Sequence, residues 1–546
     1  MLNGVQQYQA ALLDHLKHQM NDMIERHSGN LDQLKSDAMD IFDQFSDPFS
    51  DISTTYLQDK KITELLQPVE AELVVLKNSA CYVKHLSNID KIFQRPNRDL
   101  NELYVGAKVF TANGEQTIYG AVMAVCGDTL AQHEVAGFKE GVGFAYSKCR
   151  HCECNFEDMQ EQFNEDLFVK RTMTSHIRQC CNIERASTNN LKEKLKTTYG
   201  VNRRSKFTEF PGFNLITQTP EDIMHIILEG VAPYEIKCVL KQLVLSGHMN
   251  LDTLNSAIIG FNYSPLDARD KPCPISVNTL TSDDNILKQS AGQMLVLLKI
   301  LPFLFDTIGD NDYTKMLHKL LEIVKILFSP IIALSTLSKL KLLIEQHLKD
   351  FKGLFPDTNI IPKQHYLLHL PSQIKALGPT HNQLYECSQN VQEKHPIVAS
   401  ELEMGPVSEV KNVQYVEGKM RDFFGIERVE YVVSVTWIMQ CGNKYTRGKS
   451  LAITNVINGT PEFGLVKNIY IVNSSMYCFE CQPLSTVGWS NQYLAYEVEV
   501  PYQAQANIFV DAGNLVDYMP YYYVTFKNRK YIPMKYDLTD IIAHHT

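Results

Sequence analysis

Leu12, Leu13, Leu16, Met20 and Met23 recur at helical spacing among polar neighbours in residues 5–24, which predicts an amphipathic helix with one apolar face. Farther along, the period shortens. Residues 105–111 and 117–125 carry short apolar runs on either side of Asn113-Gly114, a dipeptide suited to the positive-φ geometry of a hairpin turn. Two strands are therefore predicted there, with Asp128 just beyond the second. Residues 220–246 return to a helical period with a kink expected at Pro233. Residues 287–351 read as several Leu-rich helices broken near Pro302 and Pro330, because proline lacks a helical N–H and crowds the preceding turn. The most apolar run, AGQMLVLLKILPFLF at 291–305, is too short to cross a bilayer and contains Lys299 and Pro302, so a buried helix is expected and no membrane segment. Between 381 and 420 apolar density falls while Pro, Glu, Ser and Gln accumulate, as in a linker. From Val429 onward, short runs rich in Tyr, Val and Ile separated by Asn-Gly, Gly and Pro predict a small β domain.

With 546 residues, 44% of them apolar, the chain has material for about two or three cores. Its 52 basic and 62 acidic residues leave a net charge of −10, which excludes a surface that is one continuous nucleic-acid footprint. Any DNA contact would be a local patch. Arg203-Arg204-Ser205-Lys206 is the available cluster, and it reads better as a solvated turn than as a phosphate site or a nuclear-localisation signal. Thirteen cysteines is an odd count, and residues 1–7 lack the pattern of a signal peptide. A reducing nuclear or cytoplasmic compartment is expected, with cysteines as thiols or metal ligands.

Cys149-Arg150-His151-Cys152 has zinc-ligand spacing, since a two-residue gap lets both thiolates reach one tetrahedral ion at about 2.3 Å. Two partners have suitable spacing: His365 with His369, and His176 with Cys180, each pair one helical turn apart. Cys154 and Cys181 are possible substitutes. Asp128, after an apolar run, occupies a position from which a carboxylate can coordinate Mg²⁺, although an aspartate following glycine is more often a turn former. Asp222 and His225 share one face at a predicted helix start.

Taken in order, Gly127-Asp128, Cys149-x-x-Cys152 and Asp222-Ile-Met-His225 with its continuation to Glu235 resemble the catalytic domain of eukaryotic cut-and-paste DDE transposases, particularly the CACTA (En/Spm) group. The resemblance covers roughly residues 42–379. It implies an α+β fold: a truncated RNase H-like core with a large α-helical insertion, followed by the small C-terminal β domain. It implies Asp128 as the second catalytic carboxylate, Asp222 and His225 as neighbours of the catalytic site, and structural zinc on Cys149, Cys152, His365 and His369 in preference to His176 and Cys180. DNA is the partner it implies.

The chain departs from that family where two further carboxylates should stand. No acidic strand precedes the residue 105 hairpin, and Gly378-Pro379-Thr380 runs on without a glutamate-bearing helix. Two metal ions in a phosphoryl-transfer site need several carboxylates, so the expected protein is catalytically inactive, with zinc and residual DNA binding. The alternatives are an active Mg²⁺-dependent transposase or nuclease rescued by Asp47, Asp51 or Asp270, and a protein-interaction scaffold with no DNA role. The expected organisation is a helical region at 1–100, a transposase-like remnant at 101–380, a linker at 381–420 and a β-rich domain at 421–546.

Overall fold

The computed structural model describes residues 94–111, 114–309, 311–379, 403–410, 412–503 and 505–545. The predicted helix at 5–24, the acids Asp47 and Asp51 and the stretch 380–402 lie outside the described residues. Helix α1 (Gln94–Val105) leads into an antiparallel hairpin of β1 (Ala107–Thr111) and β2 (Gly114–Ile118), paired from Ala107↔Ile118 to Thr111↔Gly114. The second strand stops seven residues short of its expected end, at Ile118 rather than 125, and residues 119–128 run without regular structure. Among the described residues no strand pairs with them. Instead Val125 donates its N–H to Gln218 O at 2.8 Å, and the Gln218 amide bonds Val122 O and Met123 O at 3.1 and 2.9 Å. Asp128 therefore does not close a strand. It is the N-cap of α2 (Thr129–Ala136), its Oδ1 accepting from Ala131 N–H at 2.6 Å. Among the described residues before 380 this hairpin is the one sheet, so they form no RNase H-like sheet.

Beyond α2 come α3 (Phe156–Glu161), α4 (Met173–Glu184) and α5 (Asn189–Tyr199), then α6, whose first turns (Met224–Val231) are π-wound before it continues as a regular helix (Ala232–Leu245). The kink expected at Pro233 takes this form. Proline cannot donate to the preceding turn, and the ladder widens just ahead of it, with Ala232 N–H reaching Ile227 O. After α7 (Leu251–Gly260) and α8 (Val277–Thr281), the Leu-rich stretch forms α9 (Ala291–Leu304), α10 (Asp312–Leu327) and α11 (Leu334–Leu354). Pro302 sits in the last turn of α9, and Pro330 lies between α10 and α11, as the proline positions predict. Two short helices, α12 (Pro362–Tyr366) and α13 (Leu370–Leu377), flank a 3₁₀ turn at Leu367–His369. No helix among the described residues is long and apolar enough to cross a membrane.

The remainder is antiparallel β, as expected. A six-stranded sheet is built around β8 (Thr460–Val472), which pairs with β7 (Leu451–Ile457), β9 (Met476–Pro483) and β4 (Val432–Val435); β3 (Val407–Ser408) and β12 (Ile508–Asp511) are its edges. A four-stranded sheet follows the order β10 (Ser485–Ser490), β11 (Ala495–Glu499), β14 (Arg529–Pro533), β13 (Val524–Phe526), and β5 (Trp437–Gln440) pairs with β6 (Asn443–Thr446). With the helices before it, this makes the protein α+β.

Two expectations about the tail need correction. The linker at 381–420 is not one along its described length, because β3 pairs with β4 through Val407↔Val435, Gly405 N–H bonds Trp437 O at 2.8 Å, and Val413–Phe424 is helical (α14). The 421–546 region also shares its core with the helices: Leu451, Phe463, Leu494 and Met534 lie in the same buried cluster as Leu297, Leu320 and Val324. Phe303 of α9 stacks on Tyr493 at 4.8 Å and 3°. The last helix, α15 (Thr539–His545), supplies what α11 lacks locally. Asp540 accepts from Ala333 N–H at 2.8 Å and from Thr336 Oγ1 at 3.1 Å, acting as a remote N-cap where Ala333 has none. Helices from another part of the chain thus cover part of the tail, which also packs a buried cluster of its own from Val435, Ile438, Tyr445, Ile469, Phe479 and Leu515.

Candidate metal centre

The loop bearing Cys149 and Cys152 is closed by Lys148 N–H donating to Cys154 O at 3.0 Å, and His151 N–H donates to Cys149 Sγ at 3.3 Å. Residues 151–153 then pair with 169–171, Glu153 N–H to Val169 O and Arg171 N–H to His151 O, both at 2.9 Å. The buried Arg171 guanidinium fixes the loop from beneath. Its Nε donates to Cys149 O at 2.9 Å and Cys152 O at 3.2 Å, Nη1 to Gln179 Oε1 at 2.9 Å and Nη2 to Tyr199 O at 2.7 Å. Both thiols consequently point to the same side.

Opposite them stands the segment between Pro362 and Pro371. Each proline occupies an early helical position, where its missing N–H costs nothing, and the chain between them carries His365 and His369 one turn apart. Gly230 of α6 permits the close approach of this segment, because a Cβ there would lie 2.3 Å from Lys363 Cδ; Lys363 Nζ in turn bonds Glu229 O at 3.0 Å.

Cys149, Cys152, His365 and His369 converge so that their four ligand atoms lie within 4.8 Å of one another. Cys149 Sγ is 3.4 Å from His369 Nε2, Cys152 Sγ is 3.2 Å from His365 Nε2, and the two Nε2 atoms are 3.2 Å apart. These are close to tetrahedral edges around an ion, roughly 3.3–3.8 Å for bonds of about 2.0–2.3 Å. All four side chains are buried, at 0–2% exposure. Cys154, equally buried, lies beside these four and is not one of the converging set, its Sγ 3.3 Å from His365 Nε2. His369 Nδ1 contacts Glu165 Oε1 at 3.1 Å, which Ser372 Oγ also bonds at 2.8 Å, the carboxylate backing that orients a ligating imidazole. The residues present fit a metal ion such as zinc.

The four groups are electrostatically coupled to one another. Burial opposes ionisation of the Cys149 thiol, but hydrogen bonds from Cys152 and Cys154 and the nearby His369 draw it well below the usual thiol range. Burial and the bond to Cys149 push Cys152 up instead. Burial likewise opposes protonation of His369, yet the Cys149 thiolate and Glu165 hold its pKa at about 9. Burial resists the charge on Glu165 too, and His369 and Ser372 overcome it, leaving that carboxyl at about 2. The Cys149 thiolate is thus paired with a His369 imidazolium, whose proton a metal ion bound there would displace.

The two residues inside the C-x-x-C motif point the other way, into a second buried network. Arg150, 1% exposed, pairs with Glu221 at 2.9 Å and bonds the Gln132 side-chain carbonyl. His151 Nε2 meets Glu221 Oε1 at 3.0 Å and its Nδ1 meets Ile216 O at 3.1 Å, while Glu221 N–H donates to Gln373 Oε1 at 2.9 Å. Burial alone would raise the Glu221 pKa, but Arg150 and His151 lower it. Glu221 immediately precedes Asp222, so the metal loop is coupled to the start of α6.

There Asp222 Oδ2 contacts His225 Nδ1 at 2.6 Å, and its Oδ1 accepts from Met224 N–H at 2.8 Å. Glu229 Oε2 lies 3.7 Å from His225 Nε2. The hydrogen bond to Asp222 raises the His225 pKa above the ordinary histidine value, and the charges on Glu229 and Asp128 add to it. The structure thus brings Asp128, Asp222 and His225 into one electrostatic neighbourhood. It does not join them into a ligand set: among the described residues they belong to no group of three metal-ligating side chains.

His176 and Cys180, the alternative pair, lie 3.6 Å apart on α4, where His176 packs against Phe138 at 4.9 Å between ring centroids. Among the described residues no third donor joins them. Cys181 accepts from Arg204 Nη2 at 3.0 Å. The basic cluster is engaged internally: Arg204 bonds both Glu184 oxygens at 3.0 Å, Lys206 bonds Glu209 at 2.8 Å and Arg203 Nη2 reaches Glu134 O at 3.0 Å. Sequence inspection missed Glu165, Arg171, Arg150 and Glu221. Arg150 lies inside the C-x-x-C and Glu221 beside Asp222, but nothing in their spacing signals a pair 71 residues apart, and Glu165 is 204 residues from His369. Compared with known proteins, the chain matches no family model and no curated protein sequence.

Proposed function

We propose that this chain is a catalytically silent, transposase-derived binding protein whose helical body is held by a structural zinc ion on Cys149, Cys152, His365 and His369. The convergence of a C-x-x-C and a histidine pair more than 200 residues apart on one point carries the reading. Zinc suits two thiolates and two imidazoles, and a closed set of four protein ligands holds structure rather than activating water. In this reading residues 101–128, with the β1–β2 hairpin and Asp128, are what is left of an RNase H-like core. Asp128 spends its carboxylate on a helix cap and stands in no cation-holding group among the described residues. DNA is the partner that accompanies this ancestry.

The test combines metal content, DNA retention and cleavage on the full chain. About one zinc per chain, lost in the Cys149→Ser, Cys152→Ser double variant and in His365→Ala, His369→Ala but kept in His176→Ala, is expected. No cleavage or strand transfer of end-labelled DNA with Mg²⁺ or Mn²⁺ should occur, because one carboxylate cannot hold two ions. Cleavage abolished by Asp128→Ala would establish the active metal-dependent nuclease instead. Failure to retain DNA at physiological salt would remove the DNA role and leave the scaffold reading.

A further inference from the structure

The two imidazoles of the metal centre are held differently. His369 Nδ1 meets Glu165, whereas His365 Nδ1 is buried and has no hydrogen-bond partner among the described residues. Phe168 packs edge-on against the His365 ring at 4.8 Å between centroids but offers no acceptor. The direction of His365 is therefore set through its backbone. That backbone belongs to α12, five residues long and too short to hold a helical course on its own. Tyr234 O–H donates to Asn359 O at 2.6 Å, and Gln160 bonds Ile360 O at 3.0 Å and Ile360 N–H at 2.7 Å, but these bonds end ahead of Pro362.

Glu235 of α6 reaches the residue next to His365. Its Oε1 accepts from Gln364 Nε2 at 2.7 Å, and Gln364 Oε1 in turn accepts from Ile361 N–H at 3.0 Å, at the start of α12. His347 of α11 braces the carboxylate, its Nε2 lying 2.8 Å from Oε2 and 3.1 Å from Oε1. Glu235, His347 and Gln364 are all 0% exposed, so bulk water does not compete for these bonds. On the other side of His365, Tyr366 O–H donates to Lys148 O at 3.2 Å and ties the segment to the cysteine loop.

We propose, on the zinc reading above, that Glu235 is the positioning residue of the histidine arm: through Gln364 it fixes where His365 presents Nε2 and thereby sets the affinity for the ion. His347 holds the carboxylate where it reaches Gln364. Loss of an outer group that orients a metal ligand typically lowers metal affinity by about 10–100-fold.

The test measures Zn²⁺ affinity of the full chain by competition with a chromophoric chelator, together with the visible d–d bands of the Co²⁺-loaded protein, which report the geometry at the ion. Gln364→Met, which leaves the Glu235–His347 pair in place, should weaken Zn²⁺ binding by about tenfold and alter the Co²⁺ bands. Glu235→Ala should do the same, and the double variant no more, since both remove one bond. Glu235→Gln keeps an oxygen for Gln364 and should bind as wild type does. Leu320→Ala, a core truncation in α10, should lower the urea midpoint and leave the affinity unchanged. Should Glu235→Ala not fold, Gln364→Met and Glu235→Gln decide. A wild-type chain that takes up no zinc would remove the zinc reading and this role with it. Zinc bound by wild type and equally tightly by Gln364→Met, Glu235→Gln as weak as Gln364→Met, or the same loss in Leu320→Ala would overturn the positioning role alone.

Discussion

The Cys149–Cys152–His365–His369 cluster and the Asp128–Asp222–His225 neighbourhood are linked through Arg150 and Glu221, yet only the first closes on a point. Its donors are buried at 0–2% exposure, whereas Asp222, His225 and Glu229 are 11%, 28% and 46% exposed. The difference lies in what holds each group. The thiols come from a loop fixed by Arg171, and the imidazoles from a short helical segment on which Glu165 holds His369. The carboxylates are satisfied locally instead, by a helix N-terminus and a histidine one turn away. A candidate residue becomes part of a site only when its neighbours leave it no nearer partner.

The sharpest way to break this comparison is to remove the thiols. The Cys149→Ser, Cys152→Ser variant should lose zinc and on the order of 5 kcal/mol or more of stability, since structural zinc supplies roughly 10–16 kcal/mol in small zinc-binding peptides. Protease cleavage within the helices should rise with it. Cys154→Ser, at a thiol outside the four converging donors, should keep the metal; if it loses zinc while Cys149→Ser keeps it, the ligand set is assigned wrongly.

The link between the two regions comes next. Arg150→Met strands the Glu221 carboxylate in the core and should cost about 3–5 kcal/mol, most of it recovered by adding Glu221→Gln. Urea midpoints measure both. A loss below about 1 kcal/mol in the single variant would show that the network is not a connection at all.

Smaller effects are expected on the carboxylate side. Asp128→Ala deletes a helix cap and should cost about 1 kcal/mol, measured by thermal or urea unfolding; a gain in stability would contradict the capping role.

The smallest effect is a titration. The folded pKa of His225 stands above its unfolded value, chiefly through Asp222. Its contribution is therefore complete below about pH 6.5 and is lost as pH rises through the folded pKa. Asp222→Asn should bring the His225 midpoint down in an NMR titration, and an unchanged midpoint would remove Asp222 as its cause.

Much of the helical body was legible, because the Leu period from 287 to 351 and the prolines at 302 and 330 act locally on the backbone. The β character of the tail was legible for the same reason. The strand expected to deliver Asp128 was not, since an apolar run becomes a strand only beside a partner, and here Gln218 takes the backbone bonds that a strand would have taken. The tail's dependence on α9, α10 and α11 was also hidden. Its inward-facing residues look alike whether they meet a second sheet or a helix from elsewhere in the chain.

The sequence by itself determined that Cys149 and Cys152 could share one ion and that His365 and His369 would lie one turn apart, because spacings of three and four residues are set by loop and helix geometry. Only the tertiary structure decided that these two pairs belong together and that His176 and Cys180 stand aside. Cys149 and His369 are separated by 220 residues, Cys152 and His365 by 213. Over such distances the chain imposes no geometry of its own, and their meeting depends on Gly230, Arg171 and Glu165 placing the two segments face to face.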